Sequence, residues 1–457
     1  MTRTCLEEDV LSRIRPTPEE VRHISTISDA IIRYLRDTHN RPAMVVGSVA
    51  RGTFVRGDRD LDIFMLFPPD LPRDELAEEG IRIARDVVDH FGGTAVEKYA
   101  EHPYLNAHLY DLDCDLVPCY HVASAREIKS AVDRTPFHTL YITPRIPSLV
   151  DDALLLKQFT KAGGVYGSDH MTEGFSGYLC ELLILYYGGF RQLIEAASAW
   201  RPGCLIDPEE HRTRSFDEPL VVVDPTDPNR NVAAALSLDR MCEFIELVRG
   251  YRDAPSDAFF TCRQPVSFSK NQLRVALEER GTALYMLSFP TPAYVPDTVV
   301  PQLRKSLTAI TDLLERNGFH MNRTDCFMGE SVSFLLFELF NEAVAPVVRH
   351  IGPPVWNGEN AGKFVRKYLD ESPLSGPFIE EGRYVVEIRR PYTKAVDLLS
   401  SEALLHAALG KHVRKSMMGG WDIRSGSDCW DEDLSGFFAA FFERSGPGIR
   451  IMRLGRE

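Results

Sequence analysis

The sequence predicts an α+β protein of several domains, and three observations support this prediction. The chain has 457 residues, which is more than one hydrophobic core usually serves, so two to four structural units are expected. Short apolar runs of strand length, such as PAMVV and DLDIFMLF, alternate with amphipathic helical segments over the first 120 residues. Beyond residue 150 the pattern becomes mainly helical, and after residue 265 it is mixed again.

The first α+β segment is predicted element by element. A helix begins near Thr17, a good N-cap that is followed by Pro18 and two acids. Its apolar face consists of Val21, Ile24, Ile27, Ile31 and Leu35. Next comes a strand, a phosphate-type loop (GSVARGTFVRGDR) and a second strand. A helix from Asp74 to His90 and extended stretches around TAVEKYAEH and HLYDLDCDLVPCY complete an antiparallel or mixed sheet with helices on one side.

The remaining chain supplies two further predicted domains. Helical segments such as ALLLKQFTKAGG and GYLCELLILYYG make residues 148–255 a helical domain that follows a first domain over residues 1–147. Strands near TALYMLSF, VSFLLFEL and RYVVEIRR, with helices near PQLRKSLTAITDLLERNG and DLSGFFAAFFERSG, make residues 256–457 a C-terminal α+β domain.

Composition excludes several classes of protein. No apolar run reaches the roughly 18 residues of a membrane helix, and the N-terminus does not resemble a secretory signal, so a cytoplasmic location is expected. Nine cysteines without a C-x-x-C pair argue against a disulfide framework and a zinc module. A net charge of −14 by itself counts against a nucleic-acid partner. A local basic groove can nevertheless coexist with an acidic exterior.

The residues that indicate chemistry lie in the phosphate-type loop and the strand after it. Asp60 and Asp62 leave the same face of a strand, and two anions held together in this way favour a cation between them. Oxygen ligands suit a hard ion such as Mg²⁺. Gly47 and Ser48 follow an apolar strand, and Arg51 comes three residues later, so backbone N–H groups, a hydroxyl and a guanidinium can face an anion.

A two-metal nucleotide site needs a third carboxylate. Asp111, Asp113 and Asp115 share one face if YDLDCDLVP is a strand, so periodicity does not choose among them. Taken alone, an isolated D-x-D is more often a pair of solvated charges, and a Gly-Ser pair is more often a simple turn.

Longer motifs connect the loop and the carboxylates to a known family. The runs GSVARGT, RGDRDLDIFMLFP, EKYAEHPY, DCDLVPCY and SAVDRTPFHTLY, and then GGVYGSD, GFSGYLCELLILYYG and VVDPTDPNRNVAAALS, resemble archaeal-type (class I) CCA-adding enzymes of the polymerase-β nucleotidyltransferase superfamily. The resemblance is dense from about residue 40 to 250 and weaker beyond it. It implies a polymerase-β-like nucleotidyltransferase head with a mixed sheet, a helical neck, and an α+β body and tail that bind tRNA.

The resemblance also implies roles for individual residues. The metal-binding and catalytic carboxylates would be Asp60, Asp62 and Asp115, with Asp113 as a neighbour. The nucleotide-binding residues would be Ser48, Arg51, His138, Lys157, Tyr166 and Arg230, with Gly47 and His102 close by. Without the family, His102 and His138 read as ordinary structural histidines, Lys157 and Tyr166 as unremarkable helix residues, and Arg230 as a solvated loop arginine.

The activity implied by the family is repair or synthesis of the 3′-terminal CCA of tRNA from CTP and ATP, with Mg²⁺ as cofactor and pyrophosphate as leaving group. A homodimer is implied as well. Two alternatives are another RNA nucleotidyltransferase, such as a poly(A) polymerase-like enzyme, and a catalytically inactive RNA-binding relative. Three intact carboxylates argue against the inactive relative, because a binding module gains nothing from clustered anions near phosphate.

Overall fold

The computed structural model describes residues 3–58, 60–99, 101–262 and 267–454, with side chains through residue 451. The chain divides into two compact units. The first comprises residues 1–264 and 445–457, and the second comprises residues 265–444. In the described part of the chain, no helix is both long enough and apolar enough to span a membrane.

Helices and strands are mixed along the whole of the described chain. The helices are α1 (Cys5–Ile14), α2 (Pro18–His39), α3 (Gly47–Arg51), α4 (Arg73–Phe91), α5 (Arg134–Ile142), α6 (Val150–Ala162), α7 (Gly177–Tyr187), α8 (Phe190–Ala197), α9 (Leu238–Asp253), α10 (Lys270–Arg280), α11 (Pro296–Arg316), α12 (Gly358–Asp370), α13 (Ala395–Leu399), α14 (Lys411–Met417), α15 (Ser435–Phe442) and α16 (Pro447–Leu454). The strands are β1 (Ala43–Val46), β2 (Asp60–Phe67), β3 (Thr94–Tyr99), β4 (Pro103–Leu109), β5 (Leu112–Tyr120), β6 (Cys204–Ile206), β7 (Leu220–Asp224), β8 (Asp227–Asn231), β9 (Ala283–Pro290), β10 (Met321–Met328), β11 (Val332–Leu339), β12 (Val347–Pro354), β13 (Ser375–Glu380), β14 (Arg383–Arg389) and β15 (Asp422–Ser425).

The first unit contains a five-stranded sheet in the order β1-β2-β5-β4-β3. Strand β2 runs antiparallel to β1 and parallel to β5, whereas β4 runs antiparallel to β5 and β3. The mixed sheet and the α+β class predicted from the sequence are therefore confirmed. The strand predicted around TAVEKYAEH is β3; Ala100, within that stretch, lies outside the described residues.

One face of this sheet is covered by α2 and α4. Leu61, Ile63 and Met65 on β2 pack in one core with Ile31 of α2 and Ile83 of α4. Side chains alternate along a strand, so the residues between these apolar positions point to the opposite face. The apolar face predicted for α2 is buried, with the exception of Val21, which is 44% exposed at the first turn.

The helical segment that follows shares one core. Helices α6 to α9 bury their apolar residues together with the small sheet β6-β7-β8 and with α16. Ser176 and Ser237 cap α7 and α9 by accepting hydrogen bonds from Leu179 N and Arg240 N. The N-cap predicted at Ser237 is confirmed.

The second unit is built on two antiparallel sheets. One has the order β10-β11-β9-β15 and packs against α11, and the other has the order β12-β14-β13 and contacts α12. The strands predicted at TALYMLSF, VSFLLFEL and RYVVEIRR are β9, β11 and β14. The helices predicted near PQLRKSLTAITDLLERNG and DLSGFFAAFFERSG are α11 and α15.

Three local expectations were wrong. Asp111 lies in the turn beside Tyr110, whose φ is 58°, so β5 begins one residue later and Asp111 does not share the strand face. Arg230 lies on β8 and not in a loop. The segment after β1 forms a short helix, α3, where a loop was predicted. The division into domains 1–147, 148–255 and 256–457 stays a prediction.

Candidate active site

Two pairs of carboxylates lie side by side on β2 and β5. In the parallel register Asp60 is the partner of Asp113, and Asp62 is the partner of Asp115. Neighbouring residues in a parallel ladder point to the same face. Since Leu61 and Ile63 face the helix-covered side, all four carboxylates project from the opposite face. Asp115 therefore lies on the same side of the sheet as Asp60 and Asp62.

Burial and mutual repulsion disfavour the ionised form of several of these carboxyl groups at once. Burial raises the pKa of Asp62 to about 7, and the charges of Asp115 and Asp60 add to the shift. Burial also raises the pKa of Asp60 and of Asp115, although Asn106 donates a 2.6 Å hydrogen bond to Asp115. Asp113 is exposed and contacts His108 at 3.0 Å. A positive charge among these side chains would relieve the repulsion.

The carboxylates do not surround a common point in the structure. Among the described residues, no three acidic, histidine or cysteine side chains are gathered closely enough to enclose a metal ion. Asp60 and Asp115 are nevertheless close enough to Asp62 to raise its pKa, and Asp115 also raises the pKa of Asp60. Their donor atoms are all oxygens, which suits a hard divalent cation.

Gly47 fits closely against this cluster. It opens α3 with φ of +71°, a conformation that favours glycine, and a Cβ at this position would overlap the Asp62 carboxylate. Ser48 follows in the first turn of α3, and Arg51 ends the helix. The structure thus brings together two features predicted from the sequence, the Gly47–Arg51 segment, which forms α3, and the carboxylates on the strands.

Arg51 and Lys157 meet at a buried glutamate that sequence reasoning missed. The Arg51 Nε lies 2.7 Å from Glu181 Oε2, an ion-pair contact whose N–H direction is not that of a hydrogen bond. Lys157 Nζ donates a hydrogen bond to Glu181 Oε1 at 2.8 Å. All three side chains are almost fully buried. The helices α3, α6 and α7 are therefore joined by a cluster of two cations and one anion.

His138 and Arg230 meet at a second buried acid, Asp224, at the end of β7. The His138 Nε2 lies 2.9 Å from Asp224 Oδ2, and Arg230 donates to the same oxygen at 2.7 Å. Burial alone would raise the pKa of Asp224, but the His138 hydrogen bond and the Arg230 charge hold it well below its usual range. The His138 ring stacks on Tyr178, with centroids 4.0 Å apart.

This second cluster lines an open cavity of about 610 Å³. Three arginines and two acids line it together with His138 and Tyr178: Arg134, Arg214, Arg230, Glu218 and Asp227. Arginine side chains and an aromatic ring therefore face the same space. Arg51 connects the two clusters, because its guanidinium donates to Thr139 Oγ1 at 3.2 Å, next to His138 on α5. A cavity of this size and chemistry suits a nucleotide.

Tyr166 and His102 occupy different places. The Tyr166 hydroxyl lies beside Gly177, the first residue of α7, close to Lys157. His102 lies just before β4, is 3% exposed, and has no hydrogen-bond partner on either ring nitrogen. Arg73 and Tyr99 line a groove with it, so His102 is not part of either charged cluster.

Sequence patterns contained a signal for the two missed acids. Glu181 is the single charged residue in the apolar run GYLCELLILYYG, and Asp224 ends the apolar run LVVVD. A lone charge within a segment that is apolar on all sides must be buried, and a buried charge needs a partner. Spacing alone did not identify those partners, which lie from 6 to 130 residues away in the chain.

Comparison with known proteins identifies the family of this chain. Models for a nucleotidyltransferase domain, a tRNA nucleotidyltransferase second domain and a CCA-adding enzyme C-terminal domain match residues 29–138, 151–261 and 280–426. A CCA-adding enzyme of Methanoregula boonei is 54% identical over 99% of this chain and 98% of its own length. The chain belongs to the CCA-adding enzyme family.

More distant members of the CCA-adding enzyme family match over nearly as much of the chain. That of Methanosarcina mazei is 42% identical over 92% of this chain, and that of Haloarcula marismortui is 41% identical over 92%. The resemblance stated from the sequence motifs is therefore confirmed. The nucleotidyltransferase model spans the carboxylates of β2 and β5, and the second-domain model spans Lys157, Glu181 and Arg230. The protein is an enzyme of the nucleotidyltransferase class.

Proposed function

We propose that the protein completes the 3′ end of tRNA by adding CMP, CMP and AMP in sequence from CTP and ATP, without a nucleic-acid template. The observation that carries the proposal is the placement of Asp62 beside Asp115 on one sheet face, against the Gly47–Arg51 turn. Family membership supports tRNA as the acceptor, because the relatives of this chain are named CCA-adding enzymes.

Asp60, Asp62 and Asp115 are the residues that would hold Mg²⁺. Their oxygen donors and the raised pKa of Asp62 fit a hard divalent cation. When bound, two such ions lower the pKa of the attacking hydroxyl and offset the charge that develops on the leaving pyrophosphate. Gly47 leaves the Asp62 carboxylate the space that this role needs.

The chain's own residues position the nucleotide. In the reaction, the 3′-oxygen of tRNA forms a bond to the α-phosphorus of CTP or ATP, and the bond to the β-phosphate breaks. Ser48 would donate a hydrogen bond to the triphosphate, and Arg51 and Lys157 would balance its charge. His138 and Tyr166 add neutral donors, since burial lowers the pKa of His138 and raises that of Tyr166.

Arg230 is proposed to recognise the base. Its guanidinium is one-third exposed and borders the cavity, while one of its nitrogens is held by Asp224. A planar set of donors can pair with the acceptor edge of cytosine and, with water or the tRNA backbone, accept adenine. On its Watson–Crick edge guanine presents an N1–H donor instead. This difference would favour CTP and ATP over GTP.

The second unit would bind the acceptor and T-arm duplex of tRNA through shape and phosphate contacts. Lys363, Arg366 and Lys367 on α12 are exposed, as is Arg389 on β14. Tyr368, which follows Lys367 in the sequence, is 4% exposed and packs on Phe364, so it supports α12 from inside. A homodimer and a cytoplasmic location complete the proposal.

The proposal is tested with a tRNA transcript that ends before CCA. We expect CTP alone to add two nucleotides, ATP alone to add none, and both together to add three and then stop, as resolved on a sizing gel. A long adenylate tail would support a poly(A) polymerase-like activity instead. Binding of tRNA without any incorporation would support an inactive RNA-binding relative.

A further inference from the structure

Glu181 is a fully buried carboxylate that is not among the residues proposed to bind the nucleotide or the metal. It lies in the second turn of α7, is 0% exposed, and has apolar neighbours on both sides in sequence. Burial alone would raise its pKa, but the charges of Lys157 and Arg51 outweigh burial and hold the pKa below its usual range. Glu181 is therefore an anion whose charge is matched by these two cations.

The Lys157 ammonium has no freedom to rotate in this arrangement. Its three N–H donors go to Thr53 O at 2.9 Å, Thr53 Oγ1 at 3.0 Å and Glu181 Oε1 at 2.8 Å. The Thr53 hydroxyl in turn donates to Glu181 Oε1. Thr53 comes two residues after α3, so these bonds tie the Lys157 charge to the turn that faces the carboxylate cluster.

Arg51 is fixed from two sides. Its Nε contacts Glu181 Oε2 at 2.7 Å, and another of its nitrogens donates to Thr139 Oγ1 at 3.2 Å. Two cations and one anion leave a net charge of +1 in an almost fully buried region. Without the anion, two buried like charges would repel each other, and one side chain would have to move away.

We propose that Glu181 is a positioning residue that holds Arg51 and Lys157 in place for the nucleotide triphosphate. This inference rests on the proposed function, since it takes the positive charges of these two residues as the balance for the triphosphate. Glu181 touches no substrate itself. It fixes both cations before the nucleotide arrives, so that binding costs little reorganisation.

The test is Glu181→Gln, which keeps the side-chain volume and removes the charge. We expect the KM for CTP and the KM for ATP to rise by the same factor, on the order of tenfold, because both nucleotides carry the same triphosphate. Inhibition by inorganic tripolyphosphate, which lacks a base, should weaken by a similar factor. The Kd for tRNA should not change.

The matched control is Glu338→Gln in the second unit. Glu338 is also 0% exposed and is bonded to Arg280 at 2.6 and 3.0 Å, to Thr282 at 2.6 Å and to Asn322 at 2.8 Å. Its loss should lower the unfolding temperature and leave both KM values unchanged. A purely structural role for Glu181 would give the same result in its own variant.

The inference is overturned if folded Glu181→Gln has unaltered KM values and tripolyphosphate inhibition, or if one nucleotide is affected and the other is not. Should Glu181→Gln not fold, Glu181→Asp keeps the charge but withdraws it by one methylene, and it must show the same equal rise in both KM values. The Kd for tripolyphosphate, measured by calorimetry without tRNA, should rise by the same factor in Glu181→Gln, and this result does not depend on CCA addition.

Discussion

Asp62 on β2 and Asp115 on β5 are direct partners in a parallel ladder, and they project from the sheet face opposite α2 and α4. Their separation in the sequence is large, but their placement follows from the alternation of each strand. Burial and mutual repulsion raise the pKa of Asp62 to about 7. The pair is the centre of the proposed active site.

Asp115→Asn should lower the rate of CMP and AMP incorporation by about a thousandfold, because an amide supplies one neutral oxygen where two charged ones are needed. Asp113→Asn, two residues away on the same face but exposed, should keep the rate within a few-fold. Initial rates with excess tRNA lacking CCA measure both. Equal losses in the two variants would contradict the choice of Asp115.

Gly47→Ala should both destabilise the protein and reduce activity. The positive φ costs about 1 kcal/mol for alanine, and the new Cβ would also displace the Asp62 carboxylate. Gly52→Ala is the control, since Gly52 has a similar φ of +66° but no atom within 4 Å of the added Cβ. Urea unfolding should show a loss in both variants, whereas a large fall in kcat is expected for Gly47→Ala alone.

Millimolar Mg²⁺ should raise the unfolding temperature of the wild-type protein, because a ligand that binds only the folded state stabilises it. In Asp62→Asn the rise should be absent. The same substitution should raise the unfolding temperature measured in EDTA, since it removes one of the repelling carboxylates. Thermal scans with and without Mg²⁺ measure both effects. A Mg²⁺-dependent rise that survives in Asp62→Asn would place the ion elsewhere.

Arg230→Lys should weaken base selection while keeping the positive charge beside Asp224. A lysine lacks the planar set of donors, so the preference for CTP over GTP should fall by roughly tenfold or more. Arg134→Lys is the control, because Arg134 borders the same cavity and pairs with Asp227 at 3.2 Å. Competition assays with CTP and GTP report the ratio. Unchanged selectivity in Arg230→Lys would remove Arg230 from base recognition.

Local patterns correctly predicted the elements whose signals lie close together in the sequence. The caps at Thr17 and Ser237 and the alternation in β2 depend on residues close in sequence, and each is present in the structure. The start of β5 was predicted too early, at Asp111 or before. The backbone turns at Tyr110 with a positive φ, which a tyrosine does not signal in the sequence.

The contacts of the candidate site could not be predicted fully, because they join residues that are far apart in the sequence. The sequence left Asp113 and Asp115 equivalent, since both share a strand face, and the register places them beside Asp60 and Asp62 respectively. Glu181 and Asp224 were missed because their importance comes from partners on other helices and strands. A pattern within one element predicts which face a residue takes but not which residue it meets there.

The measurement that bears most directly on the central claim compares wild type with Asp62→Ala on tRNA lacking CCA, using radiolabelled CTP and ATP in separate reactions with Mg²⁺. We predict that wild type extends the tRNA and that the variant, while folded and still able to bind tRNA, incorporates neither nucleotide. Near-normal incorporation by Asp62→Ala would contradict the assignment of the catalytic centre.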